Sequence, residues 1–152
     1  MRLIGLIIRP IVPQITHIKE KYVAAKKRVF ISFDIDNDEE TKNVLVLQQR
    51  NSRSPFEFKD NSVKKHLTGN WEEKVKQRMD NVDVVLVLCG TKTHTAKGVA
   101  IELKIAKEKN KSYFLLAAYK DKKCTKPTSA GSSDKLHKWT WQNLKVLIDG
   151  AR

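Results

Sequence analysis

The chain has 152 residues, 40% hydrophobic and 31% charged, which is enough for one domain with a real core and a well-solvated surface. Its two cysteines, Cys89 and Cys124, exclude a disulfide framework and a CxxC metal motif, and they favour a reducing cytoplasm. The formal net charge of +13 indicates either a solvated lysine-rich surface or attraction to a polyanion, although no nucleic-acid-binding signature is present.

The first segment of the chain is apolar but interrupted. Its uninterrupted run, Leu3 to Ile8, is six residues long and is closed by Arg9 and Pro10. That run is too short to span a bilayer, so we expect no membrane association. We interpret residues 1–27 as an N-terminal extension that packs on the domain or pairs with another chain, and residues 28–152 as the domain itself.

The first half of the domain begins with a strand over residues 29–33. A polar turn follows, in which Asn37 or Asp38 can cap a helix that ends near residue 51. The spacing predicts that one face of this helix is buried, with Thr41, Val44, Leu45 and Gln48 on it. Residues 56–60 alternate between apolar and polar side chains and predict a half-buried or edge strand.

The second half repeats this alternation. A helix is predicted from an apolar stripe at Trp71, Val75, Met79 and Val82. A fully apolar strand follows at 84–88, then a helix that begins near Thr95 or Ala96, and a strand at 113–119. Residues 120–138 are predicted to be a long loop and the most mobile segment. Thr140 is expected to cap a last helix, which Gly150 ends.

Four strand–helix repeats predict right-handed crossovers and a mainly parallel sheet with helices on both faces, which is an α/β fold. In such sheets ligands bind at the carboxyl ends of the strands. Several nucleotide and phosphate sites are excluded at that edge. GxGxxG and GxxxxGK[ST] are absent, the third strand ends without an acceptor aspartate, and the acids after residue 110 are too isolated for a DxD phosphatase.

Two weaker chemical hypotheses involve single residues or short motifs. Glu57 and Lys59 form an ExK triplet downstream of Asp34 to Asp38, as in a magnesium-dependent nuclease, but an alternating strand produces this triplet readily by chance. Cys89 ends a buried strand, where an inert thiol is more common than a nucleophile. His94 lies in the loop before the third helix, where a histidine is most often a surface side chain.

Glu102 is the strongest chemical candidate among the single residues. At 100° per residue it lies at the edge of the buried stripe of its helix, near the carboxyl end of the sheet. Phe33 and Asp34 end the first strand, which should lie beside the third. A carboxylate there can stabilise an oxocarbenium ion or bind ribose hydroxyls, and Phe33 can stack on a base. The alternative is a helix-surface glutamate paired with Lys97 or Lys104.

Five ordered blocks of the chain resemble the TIR-like proteins of the bacterial Thoeris antiphage system. The blocks cover about residues 28–150 and read VFISFDIDND, PFEFKDNS, DVVLVLCGTKTHTAKGVAIEL, YFLLAAY and KWTWQNLKVLIDG. The resemblance implies a flavodoxin-like (TIR-like) three-layer sandwich with a mainly parallel central sheet. It also implies cleavage of the nicotinamide–ribose bond of NAD, which is the substrate, with no separate cofactor and no metal.

The same resemblance implies roles for individual residues. Glu102, in the pair Glu102-Leu103, matches the catalytic glutamate of TIR domains. The predicted substrate-binding residues lie at the ends of the first and third strands and in the adjoining turns: Ser32, Phe33, Asp34, Asn37, Cys89 and His94.

The system implies a cyclic ADP-ribose-type signal that activates a partner effector after infection, with a phage-derived trigger and self-assembly as further requirements. Two other functions stay open from the sequence. One is a non-catalytic TIR-like interaction module, and the other is a magnesium-dependent nuclease or nucleic-acid binder.

Overall fold

The structure is a computed structural model that describes residues 25–51, 53–59 and 69–150. Most of the predicted N-terminal extension, Asp60 and the connection over residues 61–68 lie outside these ranges. The boundary that we predicted between the extension and the domain at residue 28 therefore stays a prediction. In the described part of the chain no helix has the length and apolarity needed to cross a membrane.

A single five-stranded parallel sheet forms the centre of the domain. Its strands run in the order β2-β1-β3-β4-β5, the flavodoxin-like order of doubly wound sheets, which confirms the predicted fold class. The strands are β1 (Lys27–Ser32), β2 (Phe56–Lys59), β3 (Val84–Cys89), β4 (Ser112–Ala117) and β5 (Leu136–His137).

Helices cover both faces of the sheet and divide the core into two clusters. They are α1 (Ile35–Leu47), α2 (Trp71–Asp80), α3 (Lys97–Glu108) and α4 (Trp141–Asp149). Side chains of α1 and α4 pack on one face, and those of α2 and α3 pack on the other. Every residue of β3 is buried, because this central strand has a paired strand on each side and helices on each face. The apolar run that predicted this strand reflects that position.

The beginning of α1 differs from the prediction. The helix starts at Ile35, and its N-cap is Asp34, whose Oδ1 accepts a hydrogen bond from the N–H of Asp36 at 3.1 Å. Asn37 and Asp38, the predicted caps, lie inside the helix, because the carboxylate that directly follows β1 already satisfies the first turn.

The buried face of α1 is also narrower than predicted. Leu45 is fully buried, whereas Val44 is 55% exposed. Adjacent residues of a helix project about 100° apart, so only one of these two side chains can point at the sheet. The apolar spacing in this segment therefore overstated the width of the contact.

The second half of the domain follows the prediction with two differences. The segment 120–138, predicted as a loop, contains β5, whose Leu136 and His137 pair with β4. A two-residue strand is too short to show an alternating pattern. The strand β4 ends at Ala117 rather than at residue 119. The last helix is as predicted: the Thr140 side chain caps it, and Gly150 ends it with φ of 114°.

Candidate functional site at the carboxyl edge of the sheet

The carboxyl ends of the parallel strands bring the candidate residues to one edge of the domain. Ser32, Phe33 and Asp34 end β1, Cys89 and Gly90 end β3, and the turn over residues 91–96 leads from β3 into α3. Because β1 and β3 are neighbours, with Ser32 opposite Val87, both strand ends lie beside the start of α3. The arrangement is the crevice position at which doubly wound sheets bind ligands.

Glu102 and Ser32 form a direct contact at this edge. The Ser32 hydroxyl, which is buried on β1, donates a hydrogen bond to Oε2 of Glu102 on α3. Glu102 as a residue remains partly exposed, while Lys97 and Lys104 are exposed on the same helix. The partner that the structure gives to this carboxyl is therefore a hydroxyl of the sheet.

The protonation of Glu102 is set mainly by its surroundings. Burial of the carboxyl raises the pKa of Glu102 to about 8, while the hydrogen bond from Ser32 and the positive charge of Arg78 act in the opposite direction. An acid with this pKa exchanges its proton close to neutral pH, and such perturbed acids in clefts are frequent at functional sites. The ionised carboxylate would be a strong acceptor and a nearby negative charge for a cationic ligand.

Phe33 does not share the side of the sheet on which Ser32 meets Glu102. Its ring belongs to the cluster beneath α1 and α4 and is 8% exposed. The Lys42 ammonium lies 5.2 Å from the ring centroid. Alternation along the strand causes this separation, since successive side chains point to opposite faces. The predicted stacking of Phe33 on a ligand ring stays a prediction.

Asp34 and Asn37 contact each other in the first turn of α1. Asp34 is 7% exposed, and its Oδ2 accepts a hydrogen bond from the Asn37 side-chain amide at 2.7 Å. The same carboxylate caps the helix, so both of its oxygens have partners in this structure. Asp34 thus orders the turn that follows β1, and its contact with a substrate stays a prediction.

Cys89 is the last residue of β3, at its buried carboxyl end. The residue is fully buried, and burial raises the pKa of its thiol to about 12. Its Sγ lies 3.7 Å from the carbonyl oxygen of Val87. A thiol in this state is a poor nucleophile, which agrees with the inert side chain that is most common at such positions.

His94 is held by the segment that follows β4. Its backbone N–H donates to Thr125 Oγ1 at 3.1 Å, and its Nδ1 lies 2.9 Å from the same oxygen. The His94 ring is exposed, and Nδ1 faces Thr125, so Nε2 is the nitrogen left for a ligand. The structure therefore brings His94 to Thr125 rather than to Glu102.

Asp38 is the residue that sequence reasoning missed. It is 1% exposed although it lies among the exposed acids of α1. Tyr119, just after β4, donates a hydrogen bond to Asp38 Oδ1 at 2.8 Å, and Thr41 donates to the Tyr119 hydroxyl at 3.2 Å. The available signal was Gly90, a glycine directly after an apolar strand, which indicates a close approach of another group.

One family model matches the chain over residues 30–124, and it describes the TIR-like domain of the Thoeris protein ThsB. The match covers more than half of the chain and includes both ends of the contact between Ser32 and Glu102. The chain belongs to this family. The resemblance seen in the sequence is thereby confirmed for the domain, and the alternation of strands and helices is that of a TIR-like domain.

Two further comparisons add less. No curated protein matches this TIR-like domain. Among solved structures, the crystal structure of a prokaryotic SEFIR domain is similar with a TM-score of 0.49 and 18% identity, over 82% of this chain and 88% of that chain. At that level of similarity the match carries no argument about function, and the strand order alone supports the fold class.

The ExK triplet of the TIR-like domain does not meet the acids of α1. Glu57 forms an ion pair with Lys59 at 2.7 Å and lies opposite Arg28 in β1. Arg28 precedes the last residue of β1 by four positions, so Glu57 lies roughly 13 Å along the strand from the end that leads to α1. No group of three or more histidine, cysteine or acidic side chains that could hold a metal ion is found within the described ranges. The structure thus separates the residues that the nuclease hypothesis needs to combine.

Proposed function

We propose that this TIR-like domain cleaves the nicotinamide–ribose bond of NAD and that Glu102 is the catalytic residue. The observation that carries the proposal is the Glu102 carboxyl, which is hydrogen-bonded to Ser32 at the carboxyl edge of the sheet, where doubly wound folds bind ligands. Membership of the ThsB TIR-like family supports it, since the matched region includes Glu102. The catalytic role of Glu102 itself is what the resemblance of the pair Glu102-Leu103 to TIR domains implies.

The chemistry asks for a carboxylate next to a forming cation. As nicotinamide leaves, positive charge develops on the ribose ring, and a fixed negative group in a water-poor site stabilises it. Glu102 in its ionised form would supply that charge and would accept hydrogen bonds from ribose hydroxyls. Ser32 would orient the carboxyl, because its hydroxyl donates to Oε2 of Glu102.

The raised pKa of Glu102 is compatible with this role. The nicotinamide ring of NAD is cationic, and a cation close to a carboxyl favours the ionised form. Binding of NAD would therefore lower the pKa of Glu102 from about 8, so that its carboxyl is ionised in the complex with NAD.

The proposed product is a cyclic ADP-ribose-type signal. Cyclisation requires that the site exclude water while an adenine nitrogen attacks the anomeric carbon. The signal would activate the Thoeris effector, which makes the two proteins partners through a diffusible nucleotide. A phage-derived trigger and self-assembly of the domain are further proposed requirements. The proposal includes a cytoplasmic location and no separate cofactor.

The direct test is nicotinamide release by the purified full chain. NAD is incubated with the protein alone, at increasing protein concentration, and with lysate of phage-infected cells, and the products are separated by liquid chromatography with mass detection. Wild type should release nicotinamide and an ADP-ribose-sized product in at least one of these conditions. Glu108→Gln is the matched control, because Glu108 is an exposed glutamate of the same helix. Equal turnover by wild type and Glu102→Gln would contradict the role of Glu102.

A second candidate is a non-catalytic interaction module, and an exposed apolar pair on α1 favours it. Val44 is 55% exposed and Leu47 is 51% exposed, and residues three apart lie on the same side of a helix. Under this function the pair would contact a second copy of the domain. Sedimentation velocity of a Val44→Ser, Leu47→Ser variant tests it: a loss of self-association with NAD turnover absent in wild type would favour the module over the enzyme.

A further inference from the structure

Asp38 is buried in surroundings that disfavour the ionised form of its carboxyl. The residue is 1% exposed, and α1 departs from helical dihedral angles there, with φ of −123° and ψ of 15°. Its Oδ2 is buried and has no hydrogen-bond partner within the described residues. Burial raises the pKa of Asp38, and the negative charge of Asp34 raises it further, while Tyr119 and Lys122 act in the opposite direction. A buried oxygen without a partner is tolerated more easily on a neutral acid than on an anion.

The carboxyl of Asp38 is packed against the backbone of Gly90. A Cβ atom added to Gly90 would lie 2.2 Å from Oδ2 and 2.3 Å from Oδ1 of Asp38, which is far inside van der Waals contact. Only glycine fits at the end of β3 while Asp38 keeps this position. The hydrogen bond from Tyr119 at 2.8 Å holds the other side of the carboxyl, so the group is wedged between the ends of β3 and β4.

Gly90 is in turn the junction of the loops that surround the site. Its N–H donates to Thr93 Oγ1 at 2.8 Å, within the turn that leads to α3. Its carbonyl oxygen accepts from the N–H of Thr125 at 2.8 Å, and Thr125 contacts His94. A displacement of Gly90 therefore moves both the turn over residues 91–96 and the segment after β4. The turn connects directly to α3, the helix that carries Glu102.

We propose that Asp38 is a positioning residue of the site, which holds the turn over residues 91–96 in place by wedging its carboxyl between Gly90 and Tyr119. Nothing in this role requires contact with substrate. The effect on turnover rests on the proposed NAD-cleaving function, whereas the effect on the turn does not. Hydrogen exchange and turnover therefore test the two separately.

The first experiment measures amide hydrogen exchange of the full chain by mass spectrometry. Asp38→Ala should speed exchange of the peptide that contains residues 91–96 by about tenfold, because the wedge is lost. Glu39→Ala is the matched control: it removes an exposed acid next to Asp38 and should leave that peptide unchanged. Unchanged exchange of residues 91–96 in Asp38→Ala would overturn the proposal, whether or not the protein cleaves NAD.

A pair of complementary substitutions tests the wedge itself. Gly90→Ala introduces the methyl group that collides with Asp38, so this peptide should exchange faster than in wild type. In the double variant Asp38→Ala, Gly90→Ala the new methyl group occupies space that the carboxyl has left, and exchange should return toward the wild-type rate. If the increases in exchange rate caused by the two single substitutions instead add up in the double variant, the proposal is overturned. Asp38→Asn provides a second route if Gly90→Ala does not fold: the amide keeps the shape and should retain wild-type exchange, and faster exchange would contradict a wedge.

The kinetic constants kcat and KM distinguish a positioning role from a general loss of stability. At a temperature where all variants are folded, Asp38→Ala should lower kcat roughly tenfold or more while KM for NAD changes less than about threefold, because misplacement of the Glu102 helix affects the transition state more than binding. Asp38→Asn should restore kcat. An equal loss in both variants would contradict positioning through shape. If wild type releases no nicotinamide, the proposed function fails and the exchange data still decide on Asp38.

Discussion

Two buried acids at the same edge of the sheet differ in what surrounds them. Glu102 on α3 is partly exposed as a residue, and its carboxyl contacts the Ser32 hydroxyl. Asp38 on α1 is 1% exposed and is enclosed by Gly90 and Tyr119. Burial raises the pKa of both carboxyls. A perturbed pKa by itself therefore does not identify a catalytic group.

Glu102 is partly exposed as a residue whereas Asp38 is 1% exposed, and the roles that we propose for them differ accordingly. A carboxyl that can meet a ligand can change its protonation when a cation binds, whereas a sealed carboxyl can only hold its neighbours. The comparison also shows why position in the sequence alone could not tell which of the two acids is the better catalytic candidate. The following four predictions test it, beginning with the one that should separate the two residues most.

The largest expected difference is in turnover. Glu102→Gln should lower kcat for NAD cleavage by about a thousandfold or more, because under the proposed function it removes the charge that would stabilise the ribosyl cation. Asp38→Asn should stay within about threefold of wild type, because it keeps the shape of the wedge. Both are measured as nicotinamide release at saturating NAD, with Glu108→Gln as control. Comparable losses in Glu102→Gln and Asp38→Asn would remove the distinction.

The second prediction concerns two glycines and the free energy of unfolding. Gly90→Ala should destabilise the domain by roughly 1–3 kcal/mol, because its Cβ would lie 2.2 Å from Asp38. Gly98→Ala should be neutral or stabilise by up to about 1 kcal/mol, because its Cβ would lie 3.8 Å from Trp71 and alanine favours the helix. Urea unfolding measures both changes. Similar values for the two variants would show that Gly90 is not closely packed.

The third prediction is a pH dependence of stability. The folded-state pKa of Glu102 is about 8 and its ordinary value is 4.5, so the folded state binds the proton more tightly and stability should fall as pH rises through this window. The loss should be about 2 kcal/mol, less than a full conversion of the pKa difference because Glu102 is partly exposed. Thermal unfolding of wild type and Glu102→Gln between pH 4.5 and 8 provides the difference. Parallel curves would mean that Glu102 titrates normally.

The smallest expected effect is that of Ser32→Ala on the pH profile of turnover. The hydrogen bond from Ser32 favours the ionised form of Glu102, so its removal should raise the pKa of that carboxyl. The rising limb of kcat/KM should move to higher pH, and the value at pH 7 should fall roughly two- to fivefold. A lower kcat/KM with an unshifted limb would indicate that Ser32 contacts substrate rather than Glu102.

Much of the fold was readable from local pattern. The β3 run and the stripe of Trp71, Val75 and Met79 predicted elements that the structure contains, and Thr140 with Gly150 marked both ends of α4. These signals are strong because burial on both faces of a strand, or on one side of a helix, imposes its own spacing.

Features with short or ambiguous signals were missed. The two-residue β5 leaves no periodicity, and the polar turn suggested Asn37 or Asp38 as the cap of α1, whereas Asp34 is the cap. The choice among them depends on where β1 ends, which the neighbouring strands decide. The placement of Phe33 on the side opposite Ser32 follows from the alternation of successive side chains, although its residue type suits a ligand pocket.

The sequence by itself determined the alternating α/β order and the candidate carboxylate Glu102, because these depend on residue types at local spacings, and the resemblance of its ordered blocks indicated the family. Only the tertiary structure decided that Glu102 meets Ser32, 70 residues away along the chain, and that Asp38 lies against Gly90. Contacts of that kind depend on strand order and register, which bring distant segments together. The protonation of both acids follows from the same packing, since burial is a property of the assembled sheet and helices.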